Sequence, residues 1–142
     1  MKNILLLLTF LSYSFICCTN QVKGQTPEAV KAAFQKKYPD ENDPDWTVDK
    51  NGNFESKFKK NGEHYRADFS PEGKWIETER NIKKKDLPQA VQDRIKDDYD
   101  DIKIYEIEEV QHHSKGIFYD VEFKIDGKKK DVEINAAGII IN

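Results

Sequence analysis

The three histidines are the side chains in this chain best suited to bind a metal ion or to transfer a proton. His112 and His113 are adjacent, whereas His64 lies far from them in the sequence. Zinc sites use histidine and cysteine ligands at set spacings, and no such spacing accompanies the pair, which precedes Ser114-Lys115-Gly116. We interpret the pair as exposed loop residues, and the sequence predicts neither a metal site nor a cofactor.

The carboxylates are numerous, but their spacing does not match a cation-binding loop. Asp49-x-Asn51-x-Asn53 begins like a calcium loop, yet Phe54 stands where the tight turn needs glycine and Lys60 stands where the bidentate glutamate belongs. A second group surrounds the end of a predicted helix and consists of Asp93, Asp97, Asp98, Asp100 and Asp101. We interpret both groups as solvated surface residues.

Motifs for nucleophilic catalysis and for phosphate binding are absent from the sequence. Ser56, Ser70 and Ser114 lack the G-x-S-x-G context of a hydrolase elbow. No G-x-G-x-x-G pattern or phosphate loop occurs. We therefore predict that the protein is not an enzyme.

The elements that would position any site repeat along the chain. The stretch Phe54–Ile76 shares its layout with Tyr119–Ile141, and equivalent residues such as Gly73 and Gly138 are 65 positions apart. A fixed offset of this kind indicates duplicated structural units. The predicted division of the chain is a signal peptide at 1–24, a first repeat at 25–80 and a second repeat at 81–142.

Each half is predicted to form one helix followed by four antiparallel strands. Apolar residues recur at helical spacing in 25–38 and 88–99, Asn51-Gly52 and Asn61-Gly62 predict type I′ hairpin turns, and Asp126-Gly127 predicts a two-residue turn. Alternation along the strands leaves one face of the sheet apolar and the other solvated. We predict an α+β fold in which two tandem helix-plus-four-strand repeats form one antiparallel sheet of about eight strands with two helices on one face.

The first strand of the second half is longer than its counterpart. The predicted helices are 61 rather than 65 positions apart, so this strand carries four extra residues. Its apolar alternation shifts from Ile102 and Ile104 to Tyr105 and Ile107. A one-residue shift of this kind predicts a β-bulge.

The solvated face of the predicted sheet carries mixed charges and two aromatic side chains. If Ile76 lies in the core, its neighbour Trp75 points to the solvated face, and Phe118 is out of phase with its own apolar neighbours. Exposed aromatics among charges are typical of protein-binding anchors. The alternative is that both pack under a loop or a neighbouring strand. The candidate partner-binding residues are Trp75, Phe118, Arg66, Lys57 and Lys124.

The first 24 residues have the pattern of a secretory signal. A basic start at Met1-Lys2-Asn3 precedes the almost wholly apolar run Ile4–Ile16, which is too short to span the roughly 30 Å of a bilayer's hydrocarbon. We predict an exported protein, periplasmic or associated with the outer membrane, with no membrane span in the mature chain.

Cys17 and Cys18 end this segment and are the only cysteines. Either is a candidate for lipidation after signal cleavage, although Ile16 departs from the small residue that usually precedes a lipidated cysteine. The alternative is an ordinary signal end with cleavage after Gly24. In both cases the mature domain has no disulfide, and its core must stabilise it alone.

The charge balance argues against nucleic acid as a partner. Removing residues 1–24 takes away two lysines and no acid, which leaves 21 basic and 26 acidic residues. The two signs are interspersed, whereas general nucleic-acid binding needs a concentrated basic face.

A set of fold-determining residues in the second half carries a family resemblance. These residues are Leu87-Pro88, Tyr99, Tyr119-x-Val121-x-Phe123, Gly127 and Asn135-x-x-Gly138. They resemble the exported PepSY-like domains of Bacteroidetes, also described as beta-lactamase-inhibitor-like. The first half matches more loosely, with Thr26-Pro27, Tyr38-Pro39 and Ser56 where valine is expected. The resemblance implies a family without an established catalytic motif, for which peptidase inhibition or regulation of envelope proteins has been suggested.

These observations lead to two hypotheses about function. The first is a non-catalytic exported binding module, peptidase-inhibitor-like or envelope-regulatory, whose open sheet face engages a protein or peptide partner in the cell envelope. The second is an envelope domain that senses a small ligand or a metal in a pocket between the helices and the sheet. Stabilisation by a bound ligand would distinguish the second from the first.

Overall fold

The computed structural model of the protein describes residues 25–42 and 44–142, in which two helices lie against one antiparallel sheet. The predicted signal peptide, with Cys17 and Cys18, lies outside the described residues. None of the helices in the described ranges is long and apolar enough to cross a membrane. The elements are α1 Glu28–Lys37, β1 Asp45–Val48, β2 Phe54–Lys60, β3 Glu63–Phe69, β4 Trp75–Asn81, a short 3₁₀ helix Lys84–Asp86, α2 Gln89–Tyr99, β5 Ile104–His112, β6 Gly116–Ile125 and β7 Lys128–Asn135.

The sheet is a simple meander in which each strand pairs with the next one along the chain, from β1 to β7. The predicted α+β fold is therefore confirmed, with seven strands in place of about eight. The predicted last strand at Ile139–Ile141 is reduced to a single bridge between Ile134 and Ile140. The predicted bulge in β5 is confirmed, because the register with β6 shifts between Ile104 and Glu106.

Both helices cover the same face of the sheet, which we call the inner face. α1 places Val30, Phe34 and Tyr38 against a cluster that includes Phe58 and Phe69, and α2 forms a second cluster. The second cluster consists of Leu87, Val91, Ile95, Ile107, Tyr119, Val121, Phe123, Val132 and Ile134. The strand register connects the two, since Ala67, Thr78, Gln111 and Ile117 form one continuous row of cross-strand neighbours. The opposite, outer face has no helix over it in the part of the chain that the structure describes.

Two buried polar side chains of the first half, Ser56 and Thr78, are hydrogen bonded. Ser56, which is fully buried, donates a hydrogen bond of 2.9 Å to the carbonyl of Ala67. The Thr78 hydroxyl is paired with the Tyr38 hydroxyl and accepts a bond of 2.9 Å from the indole nitrogen of Trp75. These bonds remove the cost of burying hydroxyl groups beneath α1.

The predicted type I′ turn at Asn61-Gly62 is confirmed, because both residues have positive φ, and the predicted two-residue turn at Asp126-Gly127 has positive φ at both positions as well. The prediction for Asn51-Gly52 is wrong. Its hairpin runs from Asp49 to Asn53, and the Asp49 carboxylate accepts bonds of 2.8 Å from the amides of Asn51 and Asn53.

The same close contact holds each helix to the last turn of its half. Gly73 has φ +80°, and a Cβ atom there would lie 2.5 Å from the carbonyl oxygen of Ala29. Gly138 has φ +78°, and a Cβ atom there would lie 2.6 Å from the carbonyl oxygen of Ala90. The division into two repeats remains a proposal, and this shared contact supports it.

We expect Gly138→Ala to lower the free energy of unfolding by about 3 kcal/mol, because it adds a clash with helix α2 to the strain of a positive φ. Gly127→Ala is the matched control, since Gly127 has φ +76° and nothing within 4 Å of its would-be Cβ. Its expected loss is about 1 kcal/mol. Urea denaturation measures both values, and equal losses would contradict the close helix contact.

Candidate functional site

The outer face carries the largest concentration of ionisable side chains in the described structure. Alternation and register place its residues in rows across the strands, for example Asp68, Glu77 and His112, or Arg66, Glu79 and Val110. We use the name carboxylate surface for Asp68, Glu77, Glu79, Glu108, Asp120 and Glu133. Its members come from the five consecutive strands β3 to β7. Neighbouring strands in a sheet lie about 4.8 Å apart.

Arg66 is the central cation of the carboxylate surface. Its Nε and Nη2 atoms donate to Oε2 of Glu79 at 2.8 and 2.6 Å, and Nη2 also donates to Oε1 of Glu108 at 2.6 Å. A weaker contact of 3.9 Å reaches Glu55. One guanidinium thereby connects β2, β3, β4 and β5, and it fixes the positions of two carboxylates on the face.

Three carboxylates of this surface have no ion-pair partner among residues 25–42 and 44–142. They are Asp68, Glu77 and Asp120. In addition, Oδ1 of Asp68 and Oδ1 of Asp120 are buried without a hydrogen-bond partner in this part of the chain. A buried acceptor without a donor lowers the free energy of unfolding, because no protein donor replaces the water that bonds to it in the unfolded chain.

The pKa values of these three groups are raised. Burial, together with the neighbouring carboxylates of Glu79 and Glu55, raises the pKa of Asp68 to about 6. Burial and the carboxylates of Glu79 and Asp68 raise the pKa of Glu77 to about 7. Burial and the nearby acids Asp131 and Glu133 raise the pKa of Asp120 to about 6. The folded protein therefore disfavours the charged form of each group.

Phe118 lies on the outer face, as its phase predicts, but it is buried. Its exposed fraction is 3%, and that of its cross-strand neighbour Val110 is 2%. The Lys115 ammonium lies 5.1 Å from the centre of the Phe118 ring and pairs with Glu133 at 2.5 Å. The prediction of an exposed Phe118 anchor is wrong, and the alternative of packing against a neighbouring strand is right.

Trp75 lies on the inner face, so the prediction that it points to the solvated face is wrong. A register shift between Asp68 and Phe69 pairs Trp75 with Phe69, whose side chain is in the core. Trp75 packs at the margin of the α1 cluster, and the Lys37 ammonium lies 3.5 Å from the centre of its ring. The bulge turns the indole towards α1.

The three charged candidates lie on the outer face. Arg66 is half-buried at its centre, while Lys57 is more exposed and pairs with Glu55 at 3.1 Å. Lys124 is exposed near the end of β6. Sequence reasoning missed Glu77, Glu79 and Glu108 as members of the surface, although the alternation of their strands placed them on this face.

The histidine pair forms part of a loop hydrogen-bond network. The rings of His112 and His113 are 4.5 Å apart, and Nδ1 of His112 accepts bonds from the amides of Ser114 and Lys115. Burial and the neighbouring His113 lower the pKa of His112. No group of three or more potential metal ligands with suitable geometry occurs among the residues that the structure describes.

The hollows of the described structure are open clefts. One of about 490 Å³ lies between α1 and the start of β1, where Phe34 and Trp46 contribute to its lining. Another of about 230 Å³ lies on the outer face beside Arg66 and His64. The first corresponds best to the predicted pocket between a helix and the sheet.

Comparison with known proteins identifies relatives of this fold. A family model described as "Putative beta-lactamase-inhibitor-like, PepSY-like" matches residues 52–141. A BLIP-like protein from Bacteroides fragilis has a similar structure, with a TM-score of 0.72 and 19% identity over 83% of this chain and 84% of that chain. No curated protein matches the chain.

Two further solved structures share the fold. A DUF2874 family protein from Bacteroides uniformis has a TM-score of 0.75 and 21% identity, over 83% of this chain and 88% of that chain. A protein from Bacteroides eggerthii, described as "putative periplasmic", has a TM-score of 0.73 and 20% identity, over 84% and 88% of the two chains. At these identities the similarity concerns the fold.

We expect the protein to be more stable at about pH 5 than at about pH 8. The pKa values of Asp68, Asp120 and Glu77 are higher in the folded state than their unfolded values of 3.8 and 4.5. The stability they contribute is complete below pH 4 and is lost as the pH rises to about 7. The lowered pKa of His112 opposes this trend below about pH 6.5. Thermal denaturation across this range measures the difference.

The double variant Asp68→Asn/Asp120→Asn removes two of these groups, and we expect its stability to depend less on pH than that of the parent. Because each aspartate lacks a cation, its neutralisation should raise the free energy of unfolding at about pH 8 by roughly 1 kcal/mol. A variant that is less stable than the parent at this pH, with an unchanged profile, would contradict the electrostatic account.

Proposed function

The chain belongs to the PepSY-like, beta-lactamase-inhibitor-like family, and on that premise we propose that it is a non-catalytic exported module that binds a protein partner with the outer face of its sheet. The observation that carries the proposal is the arrangement of the two faces. Both helices cover the inner face, while the carboxylate surface on the outer face has no covering element in the described residues.

The outer face is held rigidly, as a recognition surface requires. Six antiparallel strand pairings hold it in register, and the Arg66 contacts with Glu79 and Glu108 fix side chains at its centre. Side chains that are already ordered lose little conformational entropy when a partner docks. Polar groups on a fixed surface then favour partners with complementary charge.

Export is the second part of the proposal. The signal-like pattern of residues 1–24 supports it, as does the similar protein from Bacteroides eggerthii that is described as "putative periplasmic". Lipidation at Cys17 or Cys18 is a further proposal. Mass spectrometry of the mature N-terminus distinguishes a lipid-modified cysteine from cleavage after Gly24.

The sensing hypothesis also stays a proposal, and the cleft of about 490 Å³ between α1 and β1 is the candidate pocket that best fits it. A ligand held there would raise the melting temperature, and the rise would grow with the logarithm of the ratio of ligand concentration to Kd. Inhibition of a peptidase is one form that protein binding could take, and the identity of the captured partner decides it.

We expect a photoreactive residue on the outer face to capture a partner in the native cell envelope. Suitable positions are His64 and Lys124, which are exposed on this face, and the matched controls are Lys36 and Lys96 on the exposed sides of α1 and α2. The outer-face positions should give one shared crosslinked product that the control positions lack. Capture from the helices alone, or from all four positions equally, would overturn the proposal.

A further inference from the structure

We propose that the partner docks arginine or lysine side chains onto the carboxylate surface, over Asp68, Glu77 and Asp120. This inference rests on the proposed function and specifies the chemistry of the partner, which is a protein with a basic contact surface.

The carboxylate surface has more acids than its own cations can pair with. Its own cations are already engaged, because Arg66 contacts Glu79 and Glu108, and Lys115 contacts Glu133. Asp68, Glu77 and Asp120 are left without an ion pair in the described ranges. Arg66 and Lys115 act on Asp68 and Glu77 only from beyond ion-pair distance, so a partner can supply the direct ion pairs that no described residue of this chain forms.

Two buried carboxylate oxygens also favour a basic partner. Oδ1 of Asp68 and Oδ1 of Asp120 have no hydrogen-bond donor within the described residues. Guanidinium and ammonium groups supply both the donors and the opposite charge. A partner that brings them satisfies acceptors which the isolated protein leaves unmet.

The acidic positions are spaced so that two basic side chains of one partner can reach them. Asp68 and Glu77 are cross-strand neighbours, and so are Glu108 and Asp120. The rows that hold these two pairs are four residues apart along the strands, or about 13 Å, and the pairs are also offset sideways by two strands, or about 10 Å, so their midpoints lie about 16 Å apart. The buried Val110 and Phe118 lie in the row between them. Two basic side chains on an extended segment, or on one face of a folded partner, span this distance.

Protonation links this contact to pH. The raised pKa values of Asp68, Glu77 and Asp120 mean that a basic partner must expel protons to bind in mild acid. The charged and titratable groups that face them are Asp49, Glu55, Arg66, Glu79, Glu108, Lys115, Glu122, Asp131 and Glu133, together with His112 in the row of Glu77. Affinity for a cationic partner should therefore fall as the pH is lowered from about 8 to about 5.5.

The direct test uses a fluorescent peptide of alternating arginine and threonine, with a glutamate–threonine peptide as its counterpart. In an extended peptide, arginines four and six residues apart are separated by about 13 and 20 Å, which brackets the roughly 16 Å between the two acidic pairs. Fluorescence anisotropy at about 150 mM salt, where distant surface charges are screened, should detect binding of the arginine peptide only. The affinity should fall about tenfold in Asp68→Asn/Asp120→Asn.

The matched control is Asp97→Asn/Asp100→Asn, which changes the net charge equally at exposed positions at the end of α2. We expect less than a twofold change in affinity from it. Equal losses in both double variants would assign binding to net charge and overturn the inference. Saturable binding of Ca²⁺ to the parent that Asp68→Asn/Asp120→Asn abolishes would assign the surface to a metal ion and would also overturn it.

The crosslinking assay separates this inference from the proposed function. With the photoreactive residue at His64, the parent and the control variant should capture the same partner, and Asp68→Asn/Asp120→Asn should lose most of it. Unchanged capture by that variant removes the inference and leaves the proposed function intact. Absence of capture from the outer face of the parent removes the proposed function itself.

Discussion

The structure depends on one constraint, which is that both helices pack on the same face of a single sheet. The row from Ala67 through Thr78 and Gln111 to Ile117 runs across the junction of the two halves and fixes this arrangement. Most apolar side chains of the strands thereby lie on the inner side, while Val110 and Phe118 are buried on the outer face. The outward side chains have only water and each other as neighbours, and in a sheet of this size many acids come within interaction range of one another.

This crowding gives the outer face its electrostatic character. A carboxylate at the edge of a small sheet would be fully solvated, whereas Asp68 and Asp120 have neighbouring strands on both sides and lose part of their water. At neutral pH the crowded carboxylates therefore lower the free energy of unfolding, and packing of the inner face offsets this loss. Costs of this kind are typical of sites that are shaped for binding rather than for stability.

Much of the fold could be predicted from the sequence because its signals are local. Asn61-Gly62 and Asp126-Gly127 require positive φ, and the bulge in β5 is visible because apolar residues flank it on both sides. The bulge at Ile76, between Trp75 and Glu77, is not visible in the same way, since Trp75 and Ile76 are both apolar and either could face the core. The register shift that decides between them depends on pairing with β3.

The candidate site was harder to predict because it depends on neighbours from other strands. Alternation indicates correctly that Phe118 faces outward, but its burial comes from Val110 and Lys115, which register brings beside it. Alternation likewise places Asp68 and Glu77 on one face without showing that they are adjacent. Cross-strand register is a long-range property, and the sequence of a single strand does not contain it.

The pH dependence of stability and the docking of a basic partner both depend on the ionisation of the outward carboxylates in the folded protein. Their carboxyl ¹³C resonances, followed by NMR as a function of pH, report each pKa value separately. The structure predicts midpoints near 6 for Asp68 and Asp120 and near 7 for Glu77. Midpoints near 4 for all three would contradict it, because they would mean that these groups are solvated or already paired with cations.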